Sequence, residues 1–251
     1  HEVVDRQIDA ARAGEVGGHR LDEAAGTAVW STNVGFRDVP LRALAERRLG
    51  LPTALGHDVR VGGIAEARLG AGRGERHVLF LAIGTGIAAA HVVDGVAATG
   101  AHGAAGELGH IIVRPGGPAC GCGAYGCLES LASASAVGRR YTEISGGTGV
   151  TAYDVATRAA AGEELATRVW KEATEALADG LLTAQALYDA GILVLGGGLA
   201  QAGEALLTPL RAELAARVTF HRMPRIVRAE LGDTAGCLGS ALLALDHLET
   251  R

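Results

Sequence analysis

The segment from Gly106 to Glu129, GELGHIIVRPGGPACGCGAYGCLE, constrains the fold more than any other part of the chain. It holds three of the four cysteines, Cys120, Cys122 and Cys127, with His110 ten residues before the first of them. Thiolate and imidazole are the ligands Zn²⁺ prefers, and a closed tetrahedral site takes four of them. Cys-x-Cys-x4-Cys plus one His supplies a Cys3His set. Gly116, Gly117, Gly121, Gly123 and Gly126 let the backbone turn tightly around an ion. A disulfide is the alternative, but Cys120 and Cys122 are poorly spaced to bridge each other. The spacing predicts a structural zinc held by His110, Cys120, Cys122 and Cys127.

The same segment resembles a known family. GELGH followed by CGC-x4-CLE is similar to the sugar-site and zinc-site signature of the ROK family, which contains sugar kinases and sugar-responsive repressors. The resemblance implies that His110 both ligates zinc and touches a sugar, and that Glu107 and Glu129 bind sugar hydroxyls. The chemistry is coherent. One imidazole nitrogen can hold the metal while the other faces a hydroxyl, so the ion fixes the ring. Carboxylates accept hydroxyl hydrogen bonds strongly. Taken without the resemblance, Glu107 and Glu129 also read as solvated loop charge.

Composition narrows the class. Glycine is abundant at 38 residues, yet hydrophobic residues make up 48%. That pairing points to many tight turns and phosphate-facing loops in a folded α/β protein. A net charge of −5 argues against a nucleic-acid module. No apolar run approaches the roughly 18 residues of a membrane span. HEVVDRQIDAARAG is charged, helical in pattern and unlike a secretory leader. A reduced, cytoplasmic compartment is expected.

Periodicity places a helix over 1–13, then loses its pattern through AGEVGGHRLDEAAGTAVWSTN. It predicts a helix over about 39–49, capped by Asp38, with Pro40 in its first turn and Gly50 at its end. A short strand over 51–55 and a helix over 59–69 follow. VLFLAI at 78–83 reads as a buried strand, paired hairpin-like with 87–93 across Gly84-Thr85-Gly86. Helix is expected over 132–141, and 153–188 reads as a long helical region. A strand over 192–195 runs into Gly196-Gly197-Gly198 and another helix. A last strand at 225–230 and an apolar helix at 236–247 close the chain, with Cys237 packed inside that helix.

Alternating strands and helices predict a mixed α/β protein. The resemblance adds the two-lobed actin/hexokinase-like (ribonuclease H-like) fold, with the ligand cleft between lobes. It implies a small lobe of residues 1–62, completed by 236–251, and a large lobe of 63–235 carrying the zinc loop.

The resemblance also assigns the chemistry. LPTALGHDVRVGGIAEARLG is similar to the family segment in which an Asn-Asp pair ends a strand and precedes a helix. It implies Asp58 as the base that takes the sugar hydroxyl's proton, in contact with the sugar. His57 stands where the family has a sugar-binding Asn, which opens the question of sugar preference. Read alone, Asp58 is equally an N-cap. Glycines gather where backbone N–H groups cradle phosphates. Gly84, Thr85 and Gly86 resemble the family's second phosphate loop, with Ala88 in place of a further glycine. Gly196, Gly197 and Gly198 resemble its adenosine-side loop. The family's first phosphate loop, Asp-x-Gly-Gly-Thr, has no counterpart before Gly84, and Gly17-Gly18 does not supply it. Either the polypeptide lacks those first strands, or a join between Ala13 and Asp22 closes over an intervening segment.

The expected function is therefore an ATP-dependent sugar kinase acting on the 6-hydroxyl of glucose or a related hexose. Its cofactors would be structural Zn²⁺, Mg²⁺ and ATP. Its partners would be hexose and ATP, in a homo-oligomer (dimer or tetramer), with no membrane or nucleic-acid partner. The alternatives are a sugar-binding regulator without its DNA-binding part, an inactive sugar binder and, more distantly, a zinc-ribbon module.

Overall fold

Two sheets organise the protein. The computed structural model describes residues 19–31 and 35–249. The helix expected over 1–13, Gly17-Gly18 and most of the stretch from Ala13 to Asp22 lie outside the described residues.

The first sheet is antiparallel, in the order β1 (His19–Asp22), β2 (Thr27–Ser31), β3 (Phe36–Val39). It occupies sequence in which periodicity had found nothing. These strands are only four or five residues long, and HRLD and FRDV interleave charges with too few apolar positions to alternate. Asp38 belongs to β3 and does not cap the helix that follows. Helix α1 (Leu41–Leu49) begins after Pro40 with no side-chain cap. Gly50 ends it in the left-handed conformation, as expected. Residues 51–55 form no strand; Pro52 cannot donate to a ladder.

The second sheet runs β6 (Val96–Ala97), β5 (Ile87–Val93), β4 (His77–Ile83), β7 (Ile192–Gly196), β8 (Arg225–Arg228). β6, β5 and β4 are antiparallel neighbours; β4, β7 and β8 are parallel. Every residue of β7 is buried, because both faces of this sheet are covered. Leu79, Leu81, Leu193 and Leu195 face the main core with α3 (Leu128–Ala132), α4 (Ala134–Ser145), α5 (Ala152–Ala160), α6 (Glu164–Tyr188) and α7 (Glu204–Arg217). Val78, Phe80, Ile192 and Val194 face the opposite side, toward α2 (Asp58–Arg68).

The long helical region expected over 153–188 holds two helices. Gly162, at φ +85°, breaks them, and a reciprocal Thr151–Asp154 capping box starts the first. Ser133 likewise adopts an extended conformation that separates α3 from α4. The final helix, α8 (Ala235–Glu249), packs on α2. A Cβ at Gly239 would lie 1.9 Å from the carbonyl oxygen of Val61, so only glycine permits this approach. Cys237 is exposed on α8 rather than packed within it, because Ala235 and Gly239 make the buried contacts. No helix of the described residues is long and apolar enough to cross a membrane.

Candidate functional site

Parallel strands deliver their loops to one edge. The carboxyl ends of β4 and β7 are in register, with Ala82 opposite Gly196, so Gly84–Gly86 and Gly196–Gly198 emerge side by side. In open α/β sheets this edge is where ligands bind. The loops touch: a Cβ on Gly197 would come within 2.5 Å of the Ile83 carbonyl oxygen. Gly84 N–H donates to the Gly86 carbonyl at 2.9 Å, and Ala134 N–H donates to the Gly84 carbonyl at 2.9 Å. Beyond Gly198 lies a cavity of 190 Å³, bordered by Thr151, Tyr153 and Trp170.

The zinc-type residues converge on a loop knitted by its own backbone. Val113 N–H donates to the Gly126 carbonyl, Cys120 N–H to Ala124 and Leu128 N–H to Ile111. A single 3-10 turn, Leu108–His110, presents the imidazole. The ligand atoms of His110, Cys120, Cys122 and Cys127 all lie within 4.8 Å of one another. His110 Nδ1 is 3.6 Å from Cys120 Sγ, and Cys122 Sγ is 3.6 Å from Cys127 Sγ. The other face of the ring points away from the thiols, with Nε2 3.8 Å from Glu107 Oε2. Burial pushes the Cys127 thiol up to about 12, and the neighbouring thiols add to this. Burial also raises Cys120. For Cys122 burial acts in the same sense, but the Ala124 N–H and the other two thiols outweigh it and the net shift is downward. With Cys120 and Cys127 both shifted up, the three thiols are poorly disposed to ionise together without a cation, and a divalent metal would supply the missing charge. The residue set and its compactness fit zinc.

Glu129 sits in the first turn of α3, two residues beyond Cys127. Its Oε2 accepts the backbone N–H of Ile87 at 3.0 Å. Ile87 follows Gly86 directly, so one carboxylate links the cysteine loop to the glycine turn. The fit is close, since a Cβ on Gly86 would meet that same oxygen at 2.5 Å.

Asp58 opens α2 with its side chain 80% exposed, while His57 before it is 5% exposed. His57, rather than Asp58, is the N-cap: its Nδ1 accepts the Val59 N–H at 3.2 Å. The acceptor role requires the neutral tautomer protonated at Nε2. Asp58 Oδ1 accepts the same N–H at 2.8 Å and leaves its carboxylate facing solvent at the helix N-terminus. The dipole there favours negative charge.

Two further residues tie these parts together and were not singled out in the sequence. Arg60 is 3% exposed and pairs with Glu23, with Nη2 2.8 Å from Oε1. Its guanidinium also donates to the carbonyls of Gly103 and Ala105. The available signal was a pair of full charges, Arg60 and Glu66, in a helical stretch otherwise built of small and apolar residues, VRVGGIAEA.

Residues 10–247 match the ROK family. The chain is 31% identical over 244 residues to a glucokinase of Thermotoga maritima, covering 91% of this chain and 77% of that protein. The crystal structure of a ROK hexokinase from Thermus thermophilus superposes with a TM-score of 0.81 at 32% identity, covering 100% of this chain and 88% of that one. A ROK family glucokinase from Streptomyces griseus, in complex with glucose and AMPPNP, gives a TM-score of 0.78 at 28% identity, covering 96% and 87%.

Proposed function

The chain belongs to the ROK family, and from that premise we propose that it is an ATP-dependent sugar kinase acting on the 6-hydroxyl of glucose or a close hexose. One observation carries this reading: the Glu129 carboxylate bonds the backbone that leaves Gly84-Thr85-Gly86, while its own helix leaves the cysteine cluster. Phosphoryl transfer needs the acceptor hydroxyl beside the phosphates, and this contact makes sugar site and phosphate turn one unit.

In this reading Glu107, Glu129 and the Nε2 side of His110 bind sugar hydroxyls. Asp58 accepts the proton of the attacking hydroxyl, whose oxygen bonds the γ-phosphorus as the bond to ADP breaks. Gly84–Gly86 and Gly196–Gly198 offer backbone N–H groups to the nucleotide, and Mg²⁺ enters with ATP as phosphate counter-ion. Zinc held by His110, Cys120, Cys122 and Cys127 contributes structure, by fixing the imidazole's orientation. Of the described residues, those up to 62 with 236–249 are assigned to a small lobe and 63–235 to a large one, in a dimer or tetramer. An assay of ATP-dependent phosphorylation over glucose, mannose and N-acetylated hexosamines tests the activity. Absence of turnover on every hexose would overturn it.

A second reading is a sugar binder without catalysis, and His57 favours it. In the position of the family's sugar-binding Asn, His57 spends Nδ1 on the Val59 N–H. Hexose binding without phosphorylation would select this reading.

A further inference from the structure

Arg60 and Glu23 form a buried junction between the segments that carry Asp58 and Glu107. Arg60 lies two residues beyond Asp58 in the first turn of α2 and is 3% exposed. Glu23 Oε1 accepts three hydrogen bonds: from Arg60 Nε at 3.1 Å, from Arg60 Nη2 at 2.8 Å and from the His57 backbone N–H at 2.9 Å. The same guanidinium turns its Nη1 to the carbonyl oxygens of Gly103 at 3.1 Å and Ala105 at 3.3 Å. One side chain therefore holds the turn that presents Asp58 and the chain that runs into Glu107.

The Gly103–Glu107 chain is pinned on its other side as well. Ala89 N–H donates to the Gly106 carbonyl at 2.7 Å. Gly106 has φ +97°, and a Cβ there would lie 2.0 Å from the Ala89 carbonyl oxygen. With one fixing point on β5 and another on Arg60, the Glu107 backbone has little freedom. A buried guanidinium needs a carboxylate partner and satisfied donors. Here Glu23 provides the charge and the two carbonyls occupy the remaining side of the fork, which a lysine ammonium cannot span at once.

We infer that Arg60, held by Glu23, is a positioning residue that sets Asp58 and Glu107 at the separation a hexose requires. The inference rests on the sugar-site reading above and touches neither the nucleotide nor the metal.

The experiment compares Arg60→Lys, Arg60→Met and Glu23→Gln in the full chain. A control is Arg68→Met, which removes a bidentate pair with Asp246 (2.9 and 2.7 Å) at the other end of the same helix. Misplacement by about an ångström costs on the order of 100-fold in such sites. Arg60→Met and Arg60→Lys should lower the hexose kcat/KM by roughly 10- to 100-fold, the displaced Glu107 raising hexose KM and the displaced Asp58 lowering kcat. The KM for ATP and the zinc content should stay at wild-type values. Glu23→Gln keeps an acceptor oxygen in place but removes the charge that Arg60 needs, so it should change in the same direction, by less than Arg60→Met. Arg68→Met should lower Tm without moving the hexose kcat/KM. If Arg60→Met does not fold, Arg60→Lys and Glu23→Gln carry the test. A wild-type hexose kcat/KM in Arg60→Lys, or an equal fall in Arg68→Met, would overturn the inference. Should the wild type bind hexose without turning it over, only the kinase reading falls, and the same ranking is read in hexose Kd by calorimetry. A wild type that neither binds nor phosphorylates any hexose overturns the reading and the inference together.

Discussion

His110 and Glu107 face each other across one 3-10 turn, with Nε2 3.8 Å from Oε2, while the opposite ring nitrogen lies 3.6 Å from Cys120 Sγ. A ring so placed can be gripped on one side and offer its other nitrogen to a ligand. The cysteine loop and the Glu107 carboxylate are thereby joined through a single side chain, and in the proposed site changes on the cysteine side reach the sugar side.

Zinc removal should therefore weaken sugar binding. Metal analysis of the purified protein is expected to give about one Zn²⁺ per chain, with ligand distances of about 2.0–2.3 Å. Cys122→Ser removes one of the four proposed ligands and should lose the metal, and disturbing the anchoring of a ligating His costs roughly 10- to 100-fold. Hexose affinity should fall with it. Full hexose affinity in a zinc-free Cys122→Ser protein would break the link between His110's two faces.

Gly86→Ala tests the contact between turn and carboxylate. The new Cβ would sit 2.5 Å from Glu129 Oε2, so the carboxylate must leave the Ile87 N–H. Because the atom displaced ends a flexible side chain, folding should survive. Losing a hydrogen bond to a charged group costs about 1.5–3 kcal/mol. That cost should appear in Tm, and the displaced carboxylate should weaken hexose binding at unchanged zinc content. Calorimetry on the variant would reveal it, and an unaltered hexose Kd would remove Glu129 from the sugar site.

How much of this was legible depended on how local the signal was. The cysteine cluster was readable because its ligands fall within 18 residues of sequence and their types name the metal. The hairpin of β4 and β5 was readable because an apolar run stops at a glycine pair. β1–β3 were not, since their strands are short and polar and, among the described residues, pair with one another alone. Gly162 did signal the break between α5 and α6, but an alanine-rich helical pattern on both sides obscured it. Arg60 shows the limit most clearly. Its partner Glu23 lies 37 residues away, so no local pattern could pair them.

Stability should fall on mild acidification, through His91. Its ring stacks 4.6 Å from Tyr188 and lies 6.0 Å from His77. Burial first, and then the neighbouring His77, lower its pKa below the usual imidazole value. An unfolded chain, with His near 6.5, then binds more protons than the folded one below about pH 6.5. The stability contribution is thus fully present above that pH and is lost as pH falls through the depressed folded value. Thermal unfolding at pH 7.5 and 5.0 should show a smaller drop in Tm for His91→Phe than for the wild type. Comparing the two at equal zinc cancels metal loss. Identical drops would show that His91 does not contribute.

Asp58→Asn separates a kinase from a passive sugar binder. The amide keeps the shape of the carboxylate, and its oxygen can still accept the Val59 N–H that Asp58 Oδ1 accepts at 2.8 Å. Helix α2 should not notice the change, because His57 is its N-cap. An amide can also hydrogen-bond a hydroxyl, so hexose affinity should move little. What it cannot do is take the hydroxyl proton at the moment of attack. Losing general-base help typically costs on the order of 10²- to 10⁴-fold. Turnover of ATP with glucose should fall by that factor while calorimetric hexose binding and Tm hold. Unchanged turnover would remove Asp58 from the chemistry and leave it a solvent-facing carboxylate in the first turn. A fall in turnover matched by an equal fall in hexose affinity would make Asp58 a binding group, and the base would have to be sought among the other carboxylates of the site.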